Sequence, residues 1–297
     1  MGDITLTTAT RTNLLSLQRT TGLIGRTQER LATGLKVNSA IDDALAFFKA
    51  RNLNSRASDL LSIKTGITDG INVIRTAIQG LETVESTLKQ MKALAQSAIS
   101  SPESTTRSKL ASQFNELRSQ VDNLLEDSSF NGVNLLKNST AAFAPGSDTL
   151  TVKFNERTEA KAINQLVISG LSSTDFNSIL GRSATATGTA GVSTVWGQTG
   201  TAAITAINSA LRAIDSALIT VRQSGQAFGT RSALLEIRRT FIENIVNTLK
   251  GGAADLVNAD LNEESANLLS LQTRQQLGTI SLSIAQQSEQ AVLRLFS

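Results

Sequence analysis

Over long stretches of the chain, apolar residues recur in alternating steps of three and four, the rhythm of helices that lay one side against another helix. In the first stretch Leu14, Leu17, Thr21, Ile24, Gln28, Leu31 and Leu35 keep this rhythm, and Gly34 and Asn38 mark where it stops. Near the other end Leu261, Leu268, Leu271, Leu282, Ala285 and Val292 form one stripe, with Leu277, Ile284, Ala291 and Leu295 in a second stripe beside it. The last segment therefore has two apolar sides. Two terminal helices that each need a partner pair most simply with each other, so the chain leaves one place and returns to it.

A longer set lies between them. Leu60, Ile67, Ile71, Ile74, Ile78, Leu81 and Leu88 outline one long helix, and Leu110, Phe114, Leu117, Val121 and Leu124 a shorter one. Pro102 falls between the two and is expected in the first turn of the second, where its missing N–H costs nothing. On the return path Ile207, Leu211, Ile214, Leu218, Val221, Phe228, Leu235, Ile242, Val246 and Leu249 hold the same rhythm, and Gly225 and Gly229 within it permit a bend. The centre differs. Leu150, Val152 and Phe154 alternate with Thr151 and Lys153 before Leu166-Val167-Ile168, which predicts a small β-hairpin.

The predicted fold is mainly α: a long antiparallel helical rod or coiled coil from paired N- and C-terminal segments, with a small β-hairpin element. Its expected domains are an inner pair of terminal helices, 1–43 with 257–297, and an outer helical rod with the hairpin, 44–182 with 202–256. Residues 183–201, rich in Ser, Thr, Ala and Gly around Trp196, read as an exposed loop. Trp196 is expected to pack its ring onto the small outer domain.

Charge narrows the choice of partner. Lys and Arg number 28 against 25 Asp and Glu, a net +3 over 297 residues, too even a balance for nucleic acid to be the default partner. Arg11, Arg19, Arg26 and Arg30 fall near one face of the first helix, and with no aromatics interleaved they read as a solvated face or the lining of a polar channel. The chain has no Cys and no His, which removes disulfide frameworks, zinc-finger patterns, thiol nucleophiles and imidazole-based triads. Asp42-Asp43 is accompanied by no third acid and no phosphate-binding loop, so its expected role is at the positive end of the next helix. No catalytic site, metal or cofactor is expected. No run approaches the ~18 consecutive apolar residues of a membrane span, so stable insertion is not expected. Met1-Gly2-Asp3-Ile4-Thr5-Leu6 lacks the design of a cleaved signal peptide, and export would take another route. Terminal helices with two apolar sides do not bury themselves within one chain, and such faces normally mark an interface. A coiled coil closed on itself and one open to neighbours both fit this pattern.

Three segments carry a specific resemblance. Arg30-Leu31-Ala32-Thr33-Gly34-Leu35-Lys36-Val37-Asn38-Ser39-Ala40-Ile41-Asp42-Asp43-Ala44 resembles the flagellin signature R-L-[SA]-[ST]-G-x-[KR]-[IV]-N-S-A-x-D-D-A. Phe130-Asn131-Gly132-Val133-Asn134-Leu135-Leu136 is similar to the F-N-G-x-x-L-L motif of the same family. In the C-terminal stretch Gln275-Gln276, Ile284-Ala285-Gln286-Gln287 and Val292-Leu293 are placed as in flagellins. Each motif also has a local reading: Gly34 ends a helix, Asn38 and Ser39 satisfy loose backbone groups, Asp42 and Asp43 favour a helix start, and Asn131-Gly132 makes a turn.

The resemblance to bacterial flagellin covers about residues 1–137 and 205–296. It implies a secreted, extracellular subunit that self-assembles into the flagellar filament for motility, with an inner layer of terminal helices and an outer layer of middle helices and hairpin. The assembly contacts are expected along Leu14, Leu17, Ile24, Leu31 and Leu35 and along Leu268, Leu271, Leu282, Ala285 and Val292. It also implies passage through the flagellar export apparatus, which a cysteine-free chain suits, and partners in an export chaperone, a filament cap and hook-associated proteins. Only residues 138–204 separate the matching halves, so the large outer surface domains are missing and the filament should be thin and smooth. A segment L-Q-R-x-R-E-L-A, read in enterobacterial flagellins by a Toll-like innate receptor, stands here as Leu88-Lys89-Gln90-Met91-Lys92-Ala93-Leu94-Ala95. Leu94 is kept, whereas Gln90, Ala93 and, on the next helix, Gln113 replace charged residues. Losing these removes charge-assisted contacts of ~1–3 kcal/mol each and predicts weak receptor activation.

Two other readings compete. The protein that joins hook to filament shares the terminal helices, but reads closer to N-S-P-S-D-D-P where this chain has alanine at Ala40 and Ala44. A secreted amphipathic translocator that inserts into membranes is the rival of a different class. Exposure of the segment from Ser183 to Thr205 would also allow O-linked sugars, and Asn138-Ser139-Thr140 matches an N-glycosylation triplet.

Overall fold

The computed structural model describes residues 8–136, 148–156, 164–171, 195–198 and 200–295. Among them are five helices and one small sheet: α1 (Thr8–Thr33), α2 (Ala44–Ser100), α3 (Ser104–Asp127), β1 (Thr149–Lys153), β2 (Gln165–Ser169), α4 (Thr201–Val257) and α5 (Leu261–Leu295). The mainly α expectation with a small hairpin is borne out. Asn138, Ser139, Thr140 and residues 183–194 lie outside the described residues.

The chain forms two compact units, Met1–Ala57 with Asn247–Ser297, and Ser58–Val246. The divisions fall inside α2 and α4, beyond the turns at Asp43 and Val257 where the motifs suggested them. Those turns are bonded to each other, which draws the helix ends beside them into the first unit. Lys36 and Val37 N–H donate to the Val257 carbonyl, and Ala259 N–H donates to that of Gly34 at 2.9 Å.

In the second unit α2 and α4 run antiparallel. Lys64 pairs with Glu243, Glu85 with Arg222 and Lys92 with Asp215, so equal steps up one helix match equal steps down the other. Between these rails, every seventh residue is buried: Leu60, Ile67, Ile74, Leu81, Leu88 and Ala95 from α2, and Ile207, Ile214, Val221, Phe228, Leu235 and Ile242 from α4. A strict seven-residue repeat on both partners is the pattern of a coiled coil. α4 runs unbroken through Gly225 and Gly229. Among the described residues it is also the one helix long and apolar enough to cross a membrane, although no uninterrupted apolar run in the sequence signals this.

The hairpin pairs Thr149 with Ser169 and Lys153 with Gln165 in antiparallel register. Leu150, Val152 and Ile168 face inward. A Cβ at Gly70 of α2 would stand 2.7 Å from Val152, and the Arg238 guanidinium of α4 lies 5.2 Å over the Phe154 ring, so the hairpin rests on both long helices. Pro102 is not in the first turn of α3. That helix begins at Ser104 after an extended Glu103, and Pro102 stands in the connection, where its carbonyl accepts a hydrogen bond from Arg107.

Candidate assembly interface

The connection from α1 to α2 is a set of caps. Gly34 adopts φ +71° and its N–H donates to the Arg30 carbonyl at 2.8 Å, ending α1 in the left-handed conformation that glycine takes without strain. Asp43 is the N-cap of α2, accepting from Ala46 N–H at 3.0 Å. Asp42, expected at the helix start, instead satisfies the loop that Asn38 and Ser39 were expected to cap. Asp42 Oδ2 accepts from the Asn38 N–H, the Ser39 N–H and the Ser39 hydroxyl, so the carboxylate satisfies their backbone groups. The two Ser39 hydrogen bonds, backbone first, hold the Asp42 carboxyl below the ordinary aspartate range against the cost of desolvation, with Asn38 N–H and then the Arg26 charge adding lesser help. The Asn38 amide reaches Glu29 instead, at 3.4 Å. Asp260 caps α5 in the same manner as Asp43, through Asn262 N–H at 2.9 Å.

α1 and α5 pack against each other in antiparallel order. Arg30 Nη1 meets Glu264 Oε1 at 2.9 Å near one end, and Leu17 Cδ1 stands 3.0 Å from where a Cβ on Gly278 would be. Ile24 and Leu271 are buried in this seam, while Leu17, Leu31, Leu35, Leu268, Leu282 and Ala285 are half-buried. Leu14, 37% exposed, lies at its margin. Thr10 and Thr27 are buried and Asn13 and Thr20 half-buried, whereas Leu14, Thr21 and Gln28 are exposed. The companion row therefore lies one residue earlier than the apolar pattern suggests. Threonine suits such a row because its hydroxyl can return to the carbonyl four residues back, as that of Thr20 does to Ser16 at 2.9 Å. Leu261 is exposed too, and the side chain of Val292 lies outside the described residues.

On the opposite side of α5, Leu269, Leu277, Ile280 and Ile284 are all more than half exposed. Leu277 and Ile284 belong to the expected second stripe; Leu269 and Ile280 escaped it because they fall between the two sets of steps. Other open apolar positions had no sequence signal at all. Ile41 is 96% and Leu45 80% exposed, with Phe48 beside them, and on α4 Ile219, Leu234, Ile237 and Phe241 share an outward face turned away from the buried heptad row. A three-four rhythm picks out one face of a helix and passes over apolar residues that lie off it.

The Phe130-Asn131-Gly132 motif is a two-residue turn. Asn131 at φ +50° and Gly132 at φ +81° both occupy the left-handed region, and Phe130 and Val133 exchange backbone hydrogen bonds of 2.9 and 3.0 Å. Phe130 remains partly exposed while Leu135 and Leu136 are buried. Asn134 seals the end of α3 by donating to the Leu125 and Glu126 carbonyls, each at 2.9 Å. Gln90, Ala93 and Gln113 are exposed and Leu94 is half-buried. Lys92, which keeps a basic position of the receptor segment, is tied to Asp215 at 2.6 Å. No cluster of acids able to hold a metal ion occurs among the described residues.

Comparison with known proteins matches the bacterial flagellin N-terminal helical region to residues 4–141 and the bacterial flagellin C-terminal helical region to residues 211–296. The flagellins FljO and FljK of Caulobacter vibrioides are 31% and 32% identical over 286 residues, covering 95% of this chain and 94% of each relative. A flagellin of Brucella melitensis is 24% identical over 296 residues and covers 100% of this chain and 99% of its own. Among solved structures, a protein of Vibrio parahaemolyticus described as flagellar hook-associated aligns at a TM-score of 0.57 with 16% identity, covering 73% of this chain and all of that one. At that identity the likeness concerns the fold.

Proposed function

The chain belongs to the bacterial flagellin family, the structural subunits of an extracellular filament, and on that premise we propose that its polymer is closed by the side of α5 that α1 leaves open. The observation that supports this is the exposed row Leu269, Leu277, Ile280 and Ile284, which lies across the helix from the seam with α1. Covering such side chains contributes ~1.5–3 kcal/mol each, and only neighbouring copies can cover all of them in a repeating way. The seam serves the polymer by holding α5 in place. Ile284→Asp and Leu277→Asp should therefore stop seeded growth while monomer helicity stays unchanged. Leu17→Asp and Leu282→Asp should stop it by separating α1 from α5 while sparing the α2–α4 unit. Electron microscopy after seeding, with circular dichroism of the monomer, checks both. Ordinary filaments from Ile284→Asp would overturn the assignment.

The finer expectations stand on family membership. Terminal helices line the channel, the middle helices and hairpin form the outer layer, and the subunit leaves through the flagellar export apparatus with a chaperone, to be placed under a cap beyond hook-associated proteins. Relatives that are flagellins over nearly the whole length support a filament subunit over a junction protein, and a dominant band in sheared filaments is the expected result. Exposed neutral residues at Gln90, Ala93 and Gln113 support weak activation of the Toll-like receptor. An epithelial reporter answering the monomer at enterobacterial potency would overturn that reading.

A further inference from the structure

Arg107 is the one buried arginine or lysine among the described residues, and its guanidinium donates to backbone carbonyls rather than to a carboxylate. From the first turns of α3 its guanidinium donates to four carbonyls: Ser101 at 3.0 Å and Pro102 at 2.9 Å in the α2–α3 connection, Trp196 at 3.0 Å and Gln198 at 2.8 Å in the segment that leads into α4. Seven residues further along α3, on the same side, Phe114 receives the buried Trp196 ring at a centroid distance of 5.0 Å. One side chain thus binds two segments that lie far apart in the sequence.

We propose that Arg107 is a positioning residue that straps the Val195–Gln198 segment onto the α2–α3 connection, so that this end of the second unit opens and closes locally without disturbing the heptad core. Three features carry it. A planar fork with five N–H groups matches two pairs of carbonyls, which a lysine ammonium cannot span. A buried cation is tolerated only while its donors are matched, so losing two of the carbonyls releases the rest and makes the contact all-or-none. On opening, the four hydrogen bonds of Arg107 and the burial of Trp196 are lost together, so both oppose it, while the seven-residue rows of α2 and α4 stay covered.

Trp196 is the single tryptophan and reports the strap directly. In Arg107→Lys its emission should move to the red, its quenching by acrylamide should rise, and the amides of the first turns of α4 should exchange at least about tenfold faster. The amides around Ile74, Leu81 and Val221 and the far-ultraviolet melting transition should not change. In Arg107→Ala, millimolar methylguanidinium should restore the emission, whereas methylammonium should not. Hydrogen exchange of the unaltered chain in low denaturant is the second measurement, which no misfolded variant can obscure: the α4 start should open independently of denaturant, and the core should not. An unmoved Trp196 emission in both variants, or α4 start and core amides exchanging together in the unaltered chain, would overturn the proposal.

Discussion

At the scale of single residues, the signature loop is a small electrostatic device. Asp43→Ala removes the N-cap of α2 and should lower stability by ~1 kcal/mol, read as a shift in the denaturant midpoint. Asp42 adds a pH dependence. Its folded value lies below the ordinary aspartate value of about 3.9, so its contribution is present above that value and is lost as pH falls through the folded one. Protection of the Asn38 and Ser39 amides should therefore fall on acidification below about pH 3.9, and Asp42→Asn should remove that dependence. The motif was legible from sequence as a helix stop followed by a helix start. Which residue donates and which accepts was not, because Asn, Ser and Asp can all cap, and only the path of the loop decides among them.

At the scale of elements, glycines inside the two long helices have opposite roles. A Cβ on Gly80 of α2 would collide with the Ser128 hydroxyl and stand 2.7 Å from Leu136, whereas Gly225 of α4 has nothing within 4 Å. Gly80→Ala should cost ~1–3 kcal/mol through overpacking despite the better helix propensity, and Gly225→Ala should gain up to ~1 kcal/mol. Melting temperatures of the two variants, moving in opposite directions, check this. The helices themselves were plain in the sequence because heptad spacing recurs over so many turns. The threonine row of α1 was not, since Thr10, Thr20 and Thr27 carry no apolar signal and pack by returning their hydroxyls to the backbone or by being small. The strap at Arg107 was equally silent, as all four of its acceptors are carbonyls that any residue could present.

At the scale of the whole molecule, two units use their apolar surface differently. The Ser58–Val246 unit buries a continuous double row, with exposed ion pairs such as Lys64–Glu243 that are worth at most about 1 kcal/mol each. Among the described residues, the unit formed by the ends buries Ile24 and Leu271 from its large apolar seam residues on α1 and α5, and leaves a second row open. Denaturant unfolding should accordingly be biphasic, with α1 and α5 melting first in the monomer and the two transitions merging once copies are polymerised. Circular dichroism of monomer and polymer at equal concentration tests it.

The open row of α5, held only by the threonine-lined seam behind it, has a kinetic consequence. A strip that grips its neighbour weakly when alone sets a threshold: below some concentration, no small cluster gains enough to persist, while a ready-made end offers several contacts at once. Growth by extension is then fast and spontaneous birth rare, which keeps subunits in reserve until a template tells them where to add.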